Sequence, residues 1–326
     1  MAQRSWAAGT KRSRRTLAML GLLLTAMAAV GVVPTPATAR TTPAVNGVAY
    51  GPLPEQLLDV HLPVDSAGPF PVMIYMHSGG WIGGSRSVIP DFLLAQVDRG
   101  IALVSIDYRL VTTAPDGSFV NSFPAADTDV DRAVRFVKAH ATTWHFDPRH
   151  VMLAGASAGG HLAALAAVAP GVFVDAELPA DLAAVSPRVQ GVLDFVGISD
   201  FSTFGAAGGW APGLMTAFLN CPVPQFDLCD PAKVAAASIA PYLDADAPPA
   251  FLAYGGTDDL VVSTTQGIPL AQAWTRARGD NGPEPTWTRG VSFQQTTDGH
   301  NIDSTELDVD AMQTWIAAVI LGASAT

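Results

Sequence analysis

The residues best suited to covalent chemistry lie in Gly155-Ala156-Ser157-Ala158-Gly159-Gly160-His161, between the apolar run Val151–Ala154 and the Ala-rich run Ala158–Val168. A serine between a strand and a helix at this spacing is a nucleophile elbow. The turn forces the serine backbone into strain, and side chains on the neighbouring positions would collide, hence the glycines. The helix amino terminus favours negative charge beside the hydroxyl oxygen. Because a serine hydroxyl is a weak nucleophile, it needs a base. His300, in Thr297-Asp298-Gly299-His300-Asn301, supplies one. The acid that orients such a histidine falls between serine and histidine in the chain. Tyr254-Gly255-Gly256-Thr257-Asp258-Asp259-Leu260-Val261 offers Asp258 and Asp259, with Asp258 the first choice because it lies three positions after Gly255 and three before Val261. His77-Ser78-Gly79-Gly80-Trp81 adds a glycine pair, and the N–H groups of Gly79, Gly80 and Ala158 would face an oxyanion. His77 reads as a brace for that loop. The chemistry predicted is acyl transfer, with Ser157 as nucleophile, His300 as general base then acid, and Asp258 fixing the imidazole.

These residues need a scaffold that presents loops from strand ends. Short apolar runs at Leu58–Leu62, Val72–Met76, Ala102–Asp107, Val151–Ala154, Gly191–Phe195, Ala250–Tyr254 and Gly290–Phe293 read as strands. Between them Val88–Val97, Ala125–Ala141, Ala158–Val168, Thr264–Ala277 and Leu307–Ile320 read as helices. Their alternation predicts an α/β fold, a mostly parallel central sheet with helices on both faces and the site at the carboxyl ends of the strands. Residues from about Asp200 to Leu243 break the pattern and read as a lid-like insertion over the sheet edge or a substrate wall, with a merely covered loop as the structural alternative.

Several landmarks occur together and in order: His77 to Trp81, Asp107-Tyr108-Arg109-Leu110, Phe123-Pro124-Ala125 with Asp129, Phe146-Asp147-Pro148, and Gly155 to Ala163. With them the chain, from roughly Asn46 onward, resembles the hormone-sensitive-lipase-like and acetylxylan/feruloyl-esterase-like (BD-FAE-like) serine esterases of the α/β-hydrolase superfamily. That resemblance implies a small-molecule ester substrate, acylated carbohydrates among the candidates, and no cofactor. The family's His-Gly-x-x-Asp-x-x-Val pattern lies on Tyr254 to Val261 and selects Asp258. Two departures stand out: Ser78 replaces a glycine and Tyr254 replaces the histidine. An arylformamidase or a secreted peptidase would share the scaffold, and a binding protein would need to have lost a member of the triad.

The first 39 residues have a different composition. Arg4, Lys11, Arg12, Arg14 and Arg15 precede an apolar run from Leu17 to Val33, and Ala37-Thr38-Ala39 offers a cleavage site before Arg40. The order predicts a signal peptide, with Arg14-Arg15 resembling a twin-arginine signal and a general secretory signal as the alternative. A catalytic domain over residues 40–326, exported and secreted, would follow, with no stable membrane span after processing. Without the five basic leader residues, 13 basic residues stand against 29 acidic ones, a net charge of −16. Such an acidic chain is a poor partner for nucleic acid. Cys221 and Cys229, the only cysteines, are expected to form a disulfide, which an exported Pro-rich loop favours over zinc. His61, His140, His145, His150 and His161 show no metal-ligand spacing, and the pair Asp194 and Asp200 is a weaker candidate dyad than the serine constellation.

Overall fold

The structure, a computed structural model, describes residues 44–64, 67–207, 209–222, 228–258, 260–279, 290–300 and 306–320. The expected signal peptide and Asp259 lie outside the described residues. The apolar runs form β1 (Val45–Ala49), β2 (Leu57–His61), β3 (Phe70–Met76), β4 (Ala102–Ile106), β7 (Phe146–Ala156), β8 (Gly191–Phe195), β9 (Ala250–Gly255) and β10 (Val291–Thr296). A separate hairpin, β5 (Thr112–Thr113) and β6 (Phe119–Val120), lies between them in the chain. The eight strands form one sheet in the order β1-β2-β4-β3-β7-β8-β9-β10. Six run parallel from β4 to β10, while β1 and β2 pair antiparallel at one end.

The inner parallel strands are buried on both faces over their paired residues, as crossover helices require, while the edge strand β10 is only partly covered. On one face Met73, Tyr75, Met152, Leu193 and Phe251 pack against Phe92, Met312, Trp315 and Ile316. The helices that matter for the site are α1 (Ala125–Ala139), α2 (Ala158–Val168), α3 (Ala211–Leu219), α4 (Pro231–Ala237), α5 (Gly267–Arg278) and α6 (Val309–Ile320). This is the α/β-hydrolase architecture expected from the alternation of runs.

Three local expectations change. Val88–Val97 is not one helix: Pro90, which lacks an N–H, stands as the cap of a single turn at Asp91–Leu94, and a 3-10 turn at Val97–Arg99 ends at Gly100 with φ 87°. Strand β1 adds to the expected set; Gly47, at φ 68°, interrupts its short apolar pattern, and its register shifts there. The Asp200–Leu243 insertion is largely helical, with turns at Phe201–Phe204 and Ala240–Tyr242 flanking α3 and α4. Proline at the first helical positions of α3 and α4, and Asp200 and Asp230 as amino-terminal caps, start helices where Gly and Pro suggest irregular chain.

Candidate active site

Ser157 sits between β7 and α2 with φ 55° and ψ −120°, a left-handed conformation that costs a side-chain-bearing residue about 1–3 kcal/mol. Its N–H donates to the Phe195 carbonyl at 2.8 Å, which ties the strained residue to β8. The close fit also explains Gly159: a Cβ there would lie 2.1 Å from the Met76 carbonyl oxygen, so α2 can approach the end of β3 only without a side chain.

The loops after β9 and β10 meet over the same end of the sheet. A Cβ on Gly255 would lie 2.0 Å from the Gly299 carbonyl oxygen, so only glycine permits this approach. It brings Asp258 and His300 together. Asp258 Oδ2 lies 2.8 Å from His300 Nδ1, and His300 Nε2 lies 2.9 Å from Ser157 Oγ. Asp258 Oδ1 accepts the N–H groups of Leu260 at 2.8 Å and Val261 at 3.0 Å. Burial works against the Asp258 carboxylate, but the His300 contact and these two N–H groups outweigh it and hold its pKa below the usual range. As Asp258 is ionised, His300 Nδ1 carries a proton and Nε2 is left to accept one from Ser157.

The loop after β3 brings the glycine pair alongside. Gly79 and Gly80 have φ 133° and 60°, and among the described residues the N–H groups of Gly79, Gly80 and Ala158 donate to no acceptor. His77 is buried and stacks on Tyr108 with ring centroids 4.3 Å apart, while its Nδ1 lies 2.8 Å from the Ser78 carbonyl. Burial lowers its pKa, so it is a neutral brace. Arg86 pairs with both Asp59 and Asp107 and anchors the chain just beyond this loop. The substitution of Ser78 for glycine is accommodated because Ser78 is exposed and its backbone is not left-handed.

The BD-FAE family model matches residues 58–274, more than half of the chain. The chain belongs to the BD-FAE family. The match agrees with the resemblance carried by the motifs and extends through Asp258. Among related sequences, the probable carboxylic ester hydrolase LipM of Mycobacterium tuberculosis is 31% identical over 199 residues, covering 61% of this chain and 43% of LipM. Esterase LipQ of the same organism is 28% identical over 78% of this chain and 56% of its own length. The probable isoprenylcysteine α-carbonyl methylesterase ICMEL1 of Arabidopsis thaliana is 35% identical over 36% of this chain and 24% of its own. This BD-FAE member thus spans about half or less of the length of these relatives. Among solved structures, a truncated carbohydrate esterase from gut microbiota matches with a TM-score of 0.71 and 20% identity, covering 88% of this chain and all of the other. Esterase 2 of Thermogutta terrifontis, phosphorylated by paraoxon, matches with a TM-score of 0.60 and 20% identity over 84% of this chain and 91% of its own. These likenesses establish a shared fold.

Within this BD-FAE chain three features of the site are not legible in the motifs. The insertion packs directly on the oxyanion loop: Trp81 stacks on Phe218 at 4.2 Å, and His161 meets Trp81, Phe201 and Phe218 edge-on at 5.2–5.4 Å. His161 Nε2 lies 2.9 Å from the Ala237 carbonyl, which ties α2 to the end of α4, and burial pushes its pKa down to about 4. The neutral ring therefore donates from Nε2. Gln266 is the second feature. Its Oε1 accepts the N–H groups of Ser199 and Asp200 at 2.8 and 2.9 Å, and its Nε2 donates to the Asp200 carbonyl and Thr203 Oγ1 at 2.9 and 2.8 Å. It thereby joins the stem of the insertion to the loop that begins at Asp258. Third, Tyr254 Oη lies 2.8 Å from both Asp194 Oδ2 and the Gly197 carbonyl, with one hydroxyl proton between the two acceptors, and so braces the turn after β8. Asp194, pushed up to about 7 chiefly by burial, is thus accounted for by Tyr254 and the Gly197 N–H, and it is not part of a dyad with Asp200, which caps a helix. The sulfurs of Cys221 and Cys229 lie at disulfide distance, with Cα atoms 4.8 Å apart.

Proposed function

We propose that the protein is an exported serine carboxylesterase that cleaves small carboxylic esters through an acyl-enzyme on Ser157. The observation that carries this reading is the continuous chain from Asp258 through His300 to Ser157, at 2.8 and 2.9 Å, on a strained elbow beside three N–H groups. His300 Nε2 takes the hydroxyl proton as Ser157 Oγ bonds to the carbonyl carbon. The negative charge passes to the carbonyl oxygen, which Gly79, Gly80 and Ala158 would receive. Each such donor is worth about 3 kcal/mol in the transition state. The carbon–oxygen bond to the alcohol then breaks, and His300 gives its proton to the departing oxygen. Water, activated in turn by His300, releases the acid and restores Ser157. The names of related proteins, carboxylic ester hydrolases and carbohydrate esterases, support an ester substrate and put acylated sugars in its range.

A fluorophosphonate probe is expected to label the protein at Ser157, and Ser157→Ala to abolish labelling. Labelling that persists in a folded Ser157→Ala protein overturns the assignment. A panel of p-nitrophenyl esters from acetate to palmitate, with acetylated xylan and N-formylkynurenine, then ranks the substrate classes. Export rests on the leader at residues 1–39, and the amino terminus of the exported protein is expected at Arg40; retention of the leader would refute it. The proximity of Cys221 and Cys229 supports a disulfide, and both thiols are then expected to resist a thiol reagent until reductant is added.

A further inference from the structure

Behind the elbow, two acceptors share one hydroxyl proton. Tyr254 Oη lies 2.8 Å from Asp194 Oδ2 and 2.8 Å from the Gly197 carbonyl, and a phenol has a single proton to give. Asp194 and Tyr254 are both fully buried, so neither contact is traded for bulk water. Every group is satisfied when Asp194 is a neutral acid. Its Oδ2–H then donates to Tyr254 Oη, the Tyr254 proton goes to the Gly197 carbonyl, and Oδ1 accepts the Gly197 N–H at 2.9 Å.

This cluster bears on the supports of Ser157. Asp194 Oδ1 lies 2.3 Å from where a Cβ on Gly160 would stand, so the carboxyl rests against the first turn of α2, three residues past the nucleophile. The turn that Asp194 and Tyr254 brace contains Val196 at φ 49°, a strained value for a β-branched residue. Next to Val196 is the Phe195 carbonyl, which accepts the Ser157 N–H at 2.8 Å.

We propose that Asp194 is a positioning residue for Ser157 that works in its neutral form, and that loss of its proton, passed on through Tyr254, loosens the nucleophile elbow. The inference rests on the esterase reading above. Once ionised, Asp194 keeps the Tyr254 proton in a charge-assisted bond and leaves the Gly197 carbonyl without its donor. The strained turn loses a tie, and the Phe195 carbonyl loses its fixed place. Burial, opposed by the Tyr254 and Gly197 hydrogen bonds, pushes the Asp194 carboxyl up to about 7, so the change comes as pH rises through neutrality. Asp194 is faced by Tyr254 from β9, Gly160 from α2, Gly155 from β7 and Gly197 from its own turn. Of these only Tyr254 titrates, and burial, reinforced by the charges of Asp194 and Asp258, keeps it a phenol. His161, beside Gly160, is neutral and bonded to the Ala237 carbonyl, and among the described residues no cation pairs with Asp194.

The test follows kcat/KM on p-nitrophenyl acetate, corrected for spontaneous hydrolysis, and the rate of fluorophosphonate labelling, from about pH 6 to about pH 9.5. Wild type is compared with Asp194→Asn, whose amide oxygen can keep the Gly197 N–H while its NH2 donates to Tyr254, as the neutral acid does. Deprotonation of His300 raises both rates with pH, so a fall above neutrality is the part assigned to Asp194. Wild type is expected to fall at least about fivefold from its maximum by about pH 9.5, and Asp194→Asn less than about twofold from its own. A residue with a merely structural role would change the rate without changing its course with pH. Infrared spectra of Asp127→Asn, which lacks the other carboxyl that burial holds protonated, decide the matter if Asp194→Asn does not fold. Their protonated-carboxyl band is expected to vanish over the range in which the wild-type rate falls. The proposal is overturned by a wild-type rate that does not fall, by an equal fall in folded Asp194→Asn, or by the absence of a titrating carboxyl band. A protein that neither hydrolyses the ester nor takes the probe at any pH removes the esterase reading itself, an outcome distinct from an active enzyme whose pH profile ignores Asp194→Asn.

Discussion

Asp258 shows how one side chain can carry two separable duties. Oδ1 is occupied by the N–H groups of Leu260 and Val261, and Oδ2 by His300 Nδ1. In Asp258→Asn the amide oxygen can keep the two backbone donors, which forces the NH2 group toward His300. The imidazole must then accept at Nδ1 and carry its proton on Nε2, so it cannot take one from Ser157. A loss of about 10³–10⁴ in kcat on p-nitrophenyl acetate is expected with little change in thermal unfolding. A folded Asp258→Asn protein within tenfold of wild type would remove Asp258 from its proposed role. Residues of this kind are legible in the sequence because chemistry restricts them to few types at fixed spacing. His300 lies within hydrogen-bonding distance of both Ser157 and Asp258, residues from chain positions far apart, and Gly159 and Gly255 are readable because close approach admits no other residue. The contact of Leu214 with Gly80 is not legible, since it joins positions 134 apart in the chain, and nothing about a leucine in a short apolar helix announces it.

The elements are legible where periodicity is strong and obscured where local chemistry overrides it. The buried parallel strands stand out as continuous apolar runs, whereas β1, at the sheet edge with three exposed positions out of five, has too little apolar pattern to register. The insertion is the largest loss. Its helices begin at prolines and caps, signals that also mark loops, and its apolar residues serve a partner surface on the oxyanion loop instead of the sheet. The stem makes it a fixed wall. Gln266, Ser199 and Asp200 form one buried knot, the Ser199 carbonyl accepts the Ile239 N–H at 2.9 Å, and Ser238 Oγ accepts the Phe201 N–H at 3.1 Å, so entry and exit are clamped together. Gln266→Leu keeps much of the volume and leaves the Ser199 and Asp200 N–H groups without their acceptor. Each such buried donor costs about 1–3 kcal/mol. A loss of about 3 kcal/mol in urea unfolding is expected, together with faster proteolytic cleavage between residues 200 and 243. Unchanged stability would show that the knot does not hold the insertion.

For the molecule as a whole, acidity and stability are set against each other, and Asp127 locates one point where they meet. The chain carries 29 acidic residues against 18 basic ones, so its stability is expected to decline at alkaline pH through general repulsion. Asp127 adds a specific contribution. It lies in the first turn of α1, only 4% exposed, and among the described residues neither carboxyl oxygen has a partner within hydrogen-bonding geometry. The small cavity before it is lined by Asp131, Val134, Ala166, Ala169, Phe173 and Pro187. Asp131 is engaged by Arg135, and Asp129 by Arg109. Burial, opposed in part by the attraction of the residue's own backbone N–H and reinforced by the Asp129 charge, pushes the Asp127 carboxyl up to about 8. Near neutral pH the folded protein therefore holds a proton here that the unfolded chain, with an ordinary aspartate near 3.8, has released. Below about pH 4 the group is neutral in both states and costs nothing through its charge. As pH rises from about 4 to about 8 the unfolded state gains by ionising, and folding stability falls across that window, levelling off above it. Asp127→Asn matches the protonated acid in shape and cannot ionise. Its Tm is expected to equal that of the wild type near pH 4 and to exceed it by about 5 °C or more at pH 8.5, because a few kcal/mol moves the midpoint of a domain this size by several degrees. Thermal scans of both proteins at pH 4, 6 and 8.5 make the check, and the difference between them cancels the general repulsion. A constant difference across the three pH values would place the alkaline loss of stability elsewhere among the acidic residues and leave Asp127 ionised in the native protein.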